Sequence, residues 1–126
     1  MRARVYLFDS YDIDLDTFVP DDPLDAAVWV RMMVGPDGGE LGVGESFDVL
    51  VCTPRWLLRT VEEGPQIGHH HLFVHSLTIS EALDFLRREV ESLQASDWPS
   101  LGAKIGRIGL WEFADYDDSA DTCPQQ

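Results

Sequence analysis

Basic residues are scarce in this sequence, and lysine is almost missing. Lys and Arg together number 9, against 23 Asp and Glu, and Lys104 is the single lysine. The formal net charge is therefore -14. Such a chain repels a phosphate backbone, so the composition argues against direct binding of nucleic acid.

Long apolar runs and paired cysteines are lacking as well. No stretch approaches the roughly 18 consecutive apolar residues that a membrane span needs, and the charged start MRARVYLFDS does not resemble the apolar part of a signal peptide. Cys52 and Cys123 have no C-x-x-C spacing and lie far apart, which argues against a structural disulfide. We expect a cytoplasmic protein that does not bind a membrane.

The length of 126 residues and the apolar share of 44% suit one domain with one core. We place this domain at residues 1–116. The acidic segment 117–126 contains a proline and few apolar residues, and we expect it to be a disordered tail.

Alternating apolar residues predict five strands, which cover residues 2–8, 26–34, 46–53, 69–77 and 110–113. The turn-rich segment 35–39 joins the second and third of them as a β-hairpin. Helices are predicted from Pro54, over residues 79–95 and through a further short segment that contains Trp98, Leu101 and Ile105 and ends near Gly109.

Local sequence patterns define where these helices begin. Thr53 can cap the first helix, and Trp56 and Leu57 are expected to anchor it to the sheet. Thr78 and Glu81 have the spacing of a capping box at the start of the second helix. The resulting fold class is α+β, with an antiparallel or mixed sheet and two to three helices packed on one face.

The acidic residues form two clusters without nearby bases. No Arg or Lys occurs between Arg4 and Arg31, and none follows Arg107. Charge runs often belong to plain solvated surfaces, but they also speed association with a partner of opposite charge. If the first and last strands pair or lie side by side, both clusters form one negative surface. The candidate partner-binding residues are Asp9, Asp12, Asp14, Asp16, Asp21, Asp22, Glu112, Asp115, Asp117 and Asp118.

Four histidines lie close together in the fourth predicted strand. On an extended chain His69, His71 and His75 share one face while His70 points away, so three imidazoles could converge on a metal ion. The sequence around them does not indicate a carboxylate or cysteine as a further ligand. The interpretation as ordinary strand residues without a metal is therefore favoured. The alternative hypothesis is a small-molecule or metal-binding domain, or a hydrolase, that uses residues 69–75.

Patterns typical of catalysis are missing. Cys52 ends an apolar run that predicts a buried, inert thiol, and no serine lies in a G-x-S-x-G elbow. The glycines of residues 35–44 lie in the hairpin connection and not before a helix, which argues against a phosphate cradle. We predict no catalytic residue, no cofactor and no metal.

One long motif resembles a known family. Residues 46–57 read S-F-D-V-L-V-C-T-P-R-W-L, with G-H-H at 68–70 and W-E-F at 111–113. This pattern resembles the eighth immunity protein family of bacterial polymorphic toxin systems, from about Asp21 to Tyr116. The resemblance implies a small α+β protein that binds the C-terminal effector domain of a cognate toxin. Families of this kind often meet nucleases, whose basic grooves suit an acidic inhibitor.

Overall fold

A β-hairpin forms the centre of the sheet. In the computed structural model, which describes residues 1–39 and 44–112, β2 (Ala27–Pro36) pairs antiparallel with β3 (Glu45–Cys52). Alternate residues of both strands are buried on one face, which we call the inner face. They are Val28, Val30, Met32, Val34, Phe47, Val49 and Val51.

Three further strands complete a mixed sheet. β1 (Ala3–Asp9) pairs antiparallel with β2, with a register irregularity between Val5 and Leu7. On the other side, β3 pairs parallel with β4 (His71–Phe73) and antiparallel with β5 (Leu110–Trp111). β4 and β5 therefore follow one another along the same edge of β3.

Two of the three helices complete the core. α2 (Ile79–Glu91) buries one side of its surface, including Leu86 and Val90, and α3 (Trp98–Ile105) buries Leu101. These side chains join the inner face of the sheet in one apolar cluster. The sheet and helices confirm the predicted α+β class.

Thr53 connects three elements at the point where β3 becomes α1 (Pro54–Val61). Its hydroxyl accepts from the Trp56 N–H at 3.3 Å as the helix cap and from the Ala26 N–H at 3.1 Å. The same hydroxyl donates to the Ala26 carbonyl at 3.4 Å. Thr53 is fully buried, so these bonds replace those that water would otherwise supply.

The expected anchoring of α1 through Trp56 and Leu57 is wrong in its stated form. Both side chains are partly buried, and among the described residues neither belongs to the apolar core or packs against it. α1 is held instead through its start at Thr53 and through Arg59, which pairs with Asp25.

The second predicted helix is shorter than expected, and its cap differs from the predicted one. α2 ends at Glu91 and not at residue 95, because the segment after it hydrogen-bonds to the start of the chain. The Ala3 N–H donates to the Leu93 carbonyl, and the Ala95 N–H donates to the Met1 carbonyl. The capping box at its start does not form, since the Thr78 side chain makes no cap hydrogen bond in this described segment.

Side chains of α2 occupy the free edge of β1. The Val5 N–H donates to Glu91 Oε2 at 3.0 Å, and Arg87 Nη1 donates to the Val5 carbonyl at 2.9 Å. Arg87 and Glu91 also form an i,i+4 ion pair. Unpaired backbone groups on an edge strand can recruit another strand, and here two of them are already bonded.

Trp111 packs β5 against α3. Its ring stacks on Phe47 at a centroid distance of 5.7 Å, and its Nε1–H donates to Glu45 Oε1 at 2.6 Å. A Cβ atom added at Gly102 would lie 2.6 Å from the same ring. The short β5 therefore requires a glycine on the facing helix.

We expect Thr53→Val to lower the free energy of unfolding by about 1–3 kcal/mol, because it leaves the Ala26 N–H without its buried acceptor. Urea denaturation measures the change. Thr53→Ser keeps the hydroxyl and serves as the matched control. A Thr53→Val variant as stable as the wild type would show that the hydrogen bonds of the hydroxyl do not stabilise the fold.

Gly102→Ala should destabilise the fold by about 1–3 kcal/mol through overpacking against Trp111, although alanine ordinarily favours a helix. Thermal unfolding is a suitable measurement. Gly68→Ala is the control, since its added methyl group meets no described atom within 4 Å. A Gly102→Ala variant as stable as the wild type would contradict the close packing of Trp111.

Candidate functional site

Apolar side chains anchor the acidic segment between β1 and β2. Ile13 and Leu15 are partly buried and pack against the core. The aspartates that alternate with them, Asp12, Asp14 and Asp16, are exposed. This D-I-D-L-D alternation is the sequence pattern that could have identified which carboxylates face solvent.

Two of the candidate aspartates also hold turns. Asp14 Oδ1 accepts from the Asp16 N–H at 2.9 Å, and Asp22 Oδ1 accepts from the Leu24 N–H at 3.0 Å. Aspartate side chains commonly stabilise turns in this way. These two residues therefore contribute to the local fold as well as to the charge.

The expectation that the first cluster has no nearby base is wrong at Asp25. Arg59 binds it with two hydrogen bonds, Nη2 to Oδ1 at 2.6 Å and Nε to Oδ2 at 2.9 Å. The hydrogen bonds from Arg59 are the main cause that lowers the pKa of Asp25. Within residues 1–39 and 44–112, no ion pair involves the exposed candidates Asp12, Asp14, Asp16, Asp21 and Asp22.

The second cluster is described only at its first member. Glu112 is exposed, and its side chain accepts a short hydrogen bond from the Ser46 N–H. The Glu112 N–H donates to the Ser46 carbonyl at 3.0 Å, so this residue extends the contact of β5 with β3. Asp115, Asp117 and Asp118 lie outside the described residues.

The hypothesis that the first and last strands are neighbours is wrong. β1 and β5 are separated by β2 and β3, because β5 pairs with the far edge of β3. The segment after β1 nevertheless reaches across the sheet. A cavity of about 270 Å³ on the outer face, opposite the helices, is lined by Tyr11, Asp12 and Leu110.

A charge pair forms the floor of this cavity. Arg31 Nε lies 3.8 Å from Asp48 Oδ1, and neither atom has a hydrogen-bond partner in the described part of the chain. The Tyr11 ring covers the Arg31 guanidinium, with 3.8 Å between Cζ and the ring centroid. Burial is the main cause that raises the pKa of Asp48, and the charges of Asp9 and Glu112 add to it while Arg31 opposes it.

The histidines do not form the predicted strand face. β4 is three residues long, and His70 just before it has a φ of 59°, which interrupts an extended chain. His70 Nε2 donates to the Gly106 carbonyl at 2.9 Å, while His71 Nδ1 donates to the His69 carbonyl at 2.6 Å. His75 is exposed beyond the strand.

A metal centre finds no support in the described residues. In residues 1–39 and 44–112, no three His, Cys, Asp or Glu side chains are grouped so that they could hold a metal ion. Cys52 is buried, and this burial raises the pKa of its thiol, which suppresses its reactivity. Cys123 lies outside the described residues.

The match to a family model decides what kind of protein this is. The model described as Immunity protein 8 covers residues 3–116. The chain belongs to this immunity protein family. Membership implies a toxin as the binding partner and suggests a role that is not enzymatic. No curated protein and no solved structure matches the chain. None of the described helices is long and apolar enough to cross a membrane.

The motif by which this immunity protein resembles its family is largely structural. Phe47, Val49 and Val51 are buried in the core, and Thr53 caps α1. Asp48 is the motif residue that lines the cavity on the outer face. Most residues that carry the resemblance therefore specify the fold and do not identify the contact surface.

Replacing His69, His71 and His75 together by Gln should leave a folded protein that still protects cells from its toxin, because these side chains do not converge. Survival on toxin induction and circular dichroism measure the two properties. His70→Ala is the contrasting variant and should destabilise the fold, since it removes the bond to Gly106. Loss of protection by the folded triple variant would assign function to this segment.

Proposed function

We propose that this immunity protein neutralises a basic toxin effector domain by non-catalytic binding that electrostatic attraction accelerates. The observation that carries the proposal is the set of exposed aspartates before β2, which make no ion pair within the described residues. Their charge is available to a partner. The net charge of -14 adds a long-range attraction toward a basic domain.

A nuclease is the effector class that fits this chemistry best. An enzyme that binds a phosphate backbone must present a basic groove. An acidic protein that covers such a groove competes with the nucleic acid and gains both speed and selectivity from complementary charge. We propose that this occurs in the cytoplasm of the producing cell, where a reducing environment suits the free Cys52.

The proposed contact residues differ in how much they also serve the fold. Asp14 and Asp22 hold turns, and Glu112 binds Ser46. Asp9 lies opposite Arg31 in the sheet. The remaining described candidates are Asp12, Asp16 and Asp21, and the proposal extends to Asp115, Asp117 and Asp118.

Changing Asp12, Asp16 and Asp21 together to Asn should reduce the association rate by about tenfold at low salt, because steering by exposed charge raises such rates by at least that factor. The dissociation rate should change little. Stopped-flow or surface-based kinetics can separate the two rates. The probe is the inactivated C-terminal effector domain of the cognate toxin.

The control variant removes the same number of negative charges elsewhere, by changing Glu62, Glu63 and Glu89 to Gln. Glu62 and Glu63 are exposed directly after α1, and Glu89 is exposed on α2. The control should associate faster than the aspartate variant, and rising salt should slow the wild type most. Equal effects of both variants would assign the rate to net charge alone. A wild-type rate independent of salt would disprove the electrostatic proposal.

A further inference from the structure

Large apolar side chains stand exposed on the outer face of the sheet. Leu7, Trp29 and Leu110 are exposed on three strands, and Tyr11 lies over the same face. Val28 and Val30 beside Trp29 are buried in the core on the inner face, and Phe8 beside Leu7 and Trp111 beside Leu110 pack against that core. Large exposed aromatic and aliphatic groups that share one face typically mark a surface that another molecule covers.

The charges on the outer face indicate what kind of partner surface would bind there. Arg31 and Asp48 occupy its middle, and Asp9 pairs in register with Arg31 from β1. Asp12 lines the cavity, and Glu112 is close enough to affect the pKa of Asp48. Negative charges therefore outnumber the one guanidinium in this part of the face. The surface complements an apolar patch that carries Arg or Lys.

We propose that an outer patch, formed by Leu7, Tyr11, Trp29, Arg31, Asp48 and Leu110, is the docking surface for the toxin effector domain. Its occupant is an apolar area of the effector bordered by Arg or Lys side chains. The inference rests on the proposed function and deepens it, since it locates contacts that determine how long the complex lasts.

The cavity supplies a specific contact for one such basic side chain. Asp12 and Asp48 both line the cavity, and the exposed Asp12 makes no ion pair with a described residue. Trp29 and Tyr11 line the same cavity, and the Tyr11 ring already covers the Arg31 guanidinium. Tryptophan, tyrosine and arginine are the residues that most often dominate the binding energy of an interface.

The strand edges make docking on the face more favourable than addition of a strand. Arg87 and Glu91 already bond the backbone of Val5 on the β1 edge. On the opposite side of the sheet, β4 and β5 are three and two residues long. Short or occupied edges offer little backbone to a partner strand.

The test compares Trp29→Ala with Phe85→Ala. Both side chains are 42% exposed, but Phe85 lies on α2, away from the outer face. With the inactivated effector domain of the cognate toxin as probe, Trp29→Ala should raise Kd by at least about 30-fold, mainly through faster dissociation. Phe85→Ala should bind as the wild type does. Leu110→Ser should weaken binding in the same direction as Trp29→Ala.

A second pair of variants tests the charge of the occupant. Arg31→Gln and Arg31→Lys both remove the guanidinium that Tyr11 covers, but only the first removes the positive charge. If the occupant is basic, Arg31→Gln should associate about twofold faster than Arg31→Lys. Slower association of Arg31→Gln would mean an acidic occupant and would overturn the proposal.

The outcomes separate the two levels of inference. If the wild type binds the effector and Trp29→Ala binds equally well, the outer patch is not the docking surface while the proposed function stands. If the wild type does not bind, the proposed function fails and the docking surface fails with it. If sedimentation shows a dimer that Trp29→Ala dissociates, the occupant is a second copy and the proposal is overturned.

Discussion

The backbone pairing of β3 is the constraint on which the rest of the structure depends. This strand bonds to β2 along one edge and to both β4 and β5 along the other, and Thr53 at its end starts α1. A shift of one residue would exchange Val49 and Val51 for Asp48 and Leu50 on the inner face. The apolar alternation of the strand excludes that shift, because it would bury Asp48 in the core.

Local patterns predicted the elements whose contacts are local. The hairpin of β2 and β3 and the cap at Thr53 follow from alternation, turn residues and a Thr-Pro pair. The shortness of β4 depends on the bond between His70 and Gly106, which are 36 residues apart. The distance between β1 and β5 depends on the whole topology. Contacts between residues that are far apart in the chain cannot be predicted from the local patterns of one sequence.

The acidic character of the candidate site could be predicted from the sequence, but the arrangement of its residues on the surface could not. The sequence shows which segments are acidic. It does not show that Arg59 forms an ion pair with Asp25 or that the Tyr11 ring packs on the Arg31 guanidinium. In the sequence, Trp29 is one residue of the alternating pattern that predicts a strand, and the pattern alone does not show that its side chain is exposed. Its exposure follows from the location of α2 and α3 on the other face of the sheet, which depends on tertiary packing.

The anchoring of the acidic segment has a consequence for the entropy of binding. Ile13 and Leu15 pack against the core, Asp14 and Asp22 close turns, and the segment joins β2 beside the pair of Asp25 with Arg59. A segment already ordered in the free protein does not lose backbone freedom when a complex forms. Ordering otherwise costs about 0.5–1.5 kcal/mol for each immobilised side chain. In the proposed complex, less of the electrostatic attraction would therefore be offset by the cost of ordering this segment.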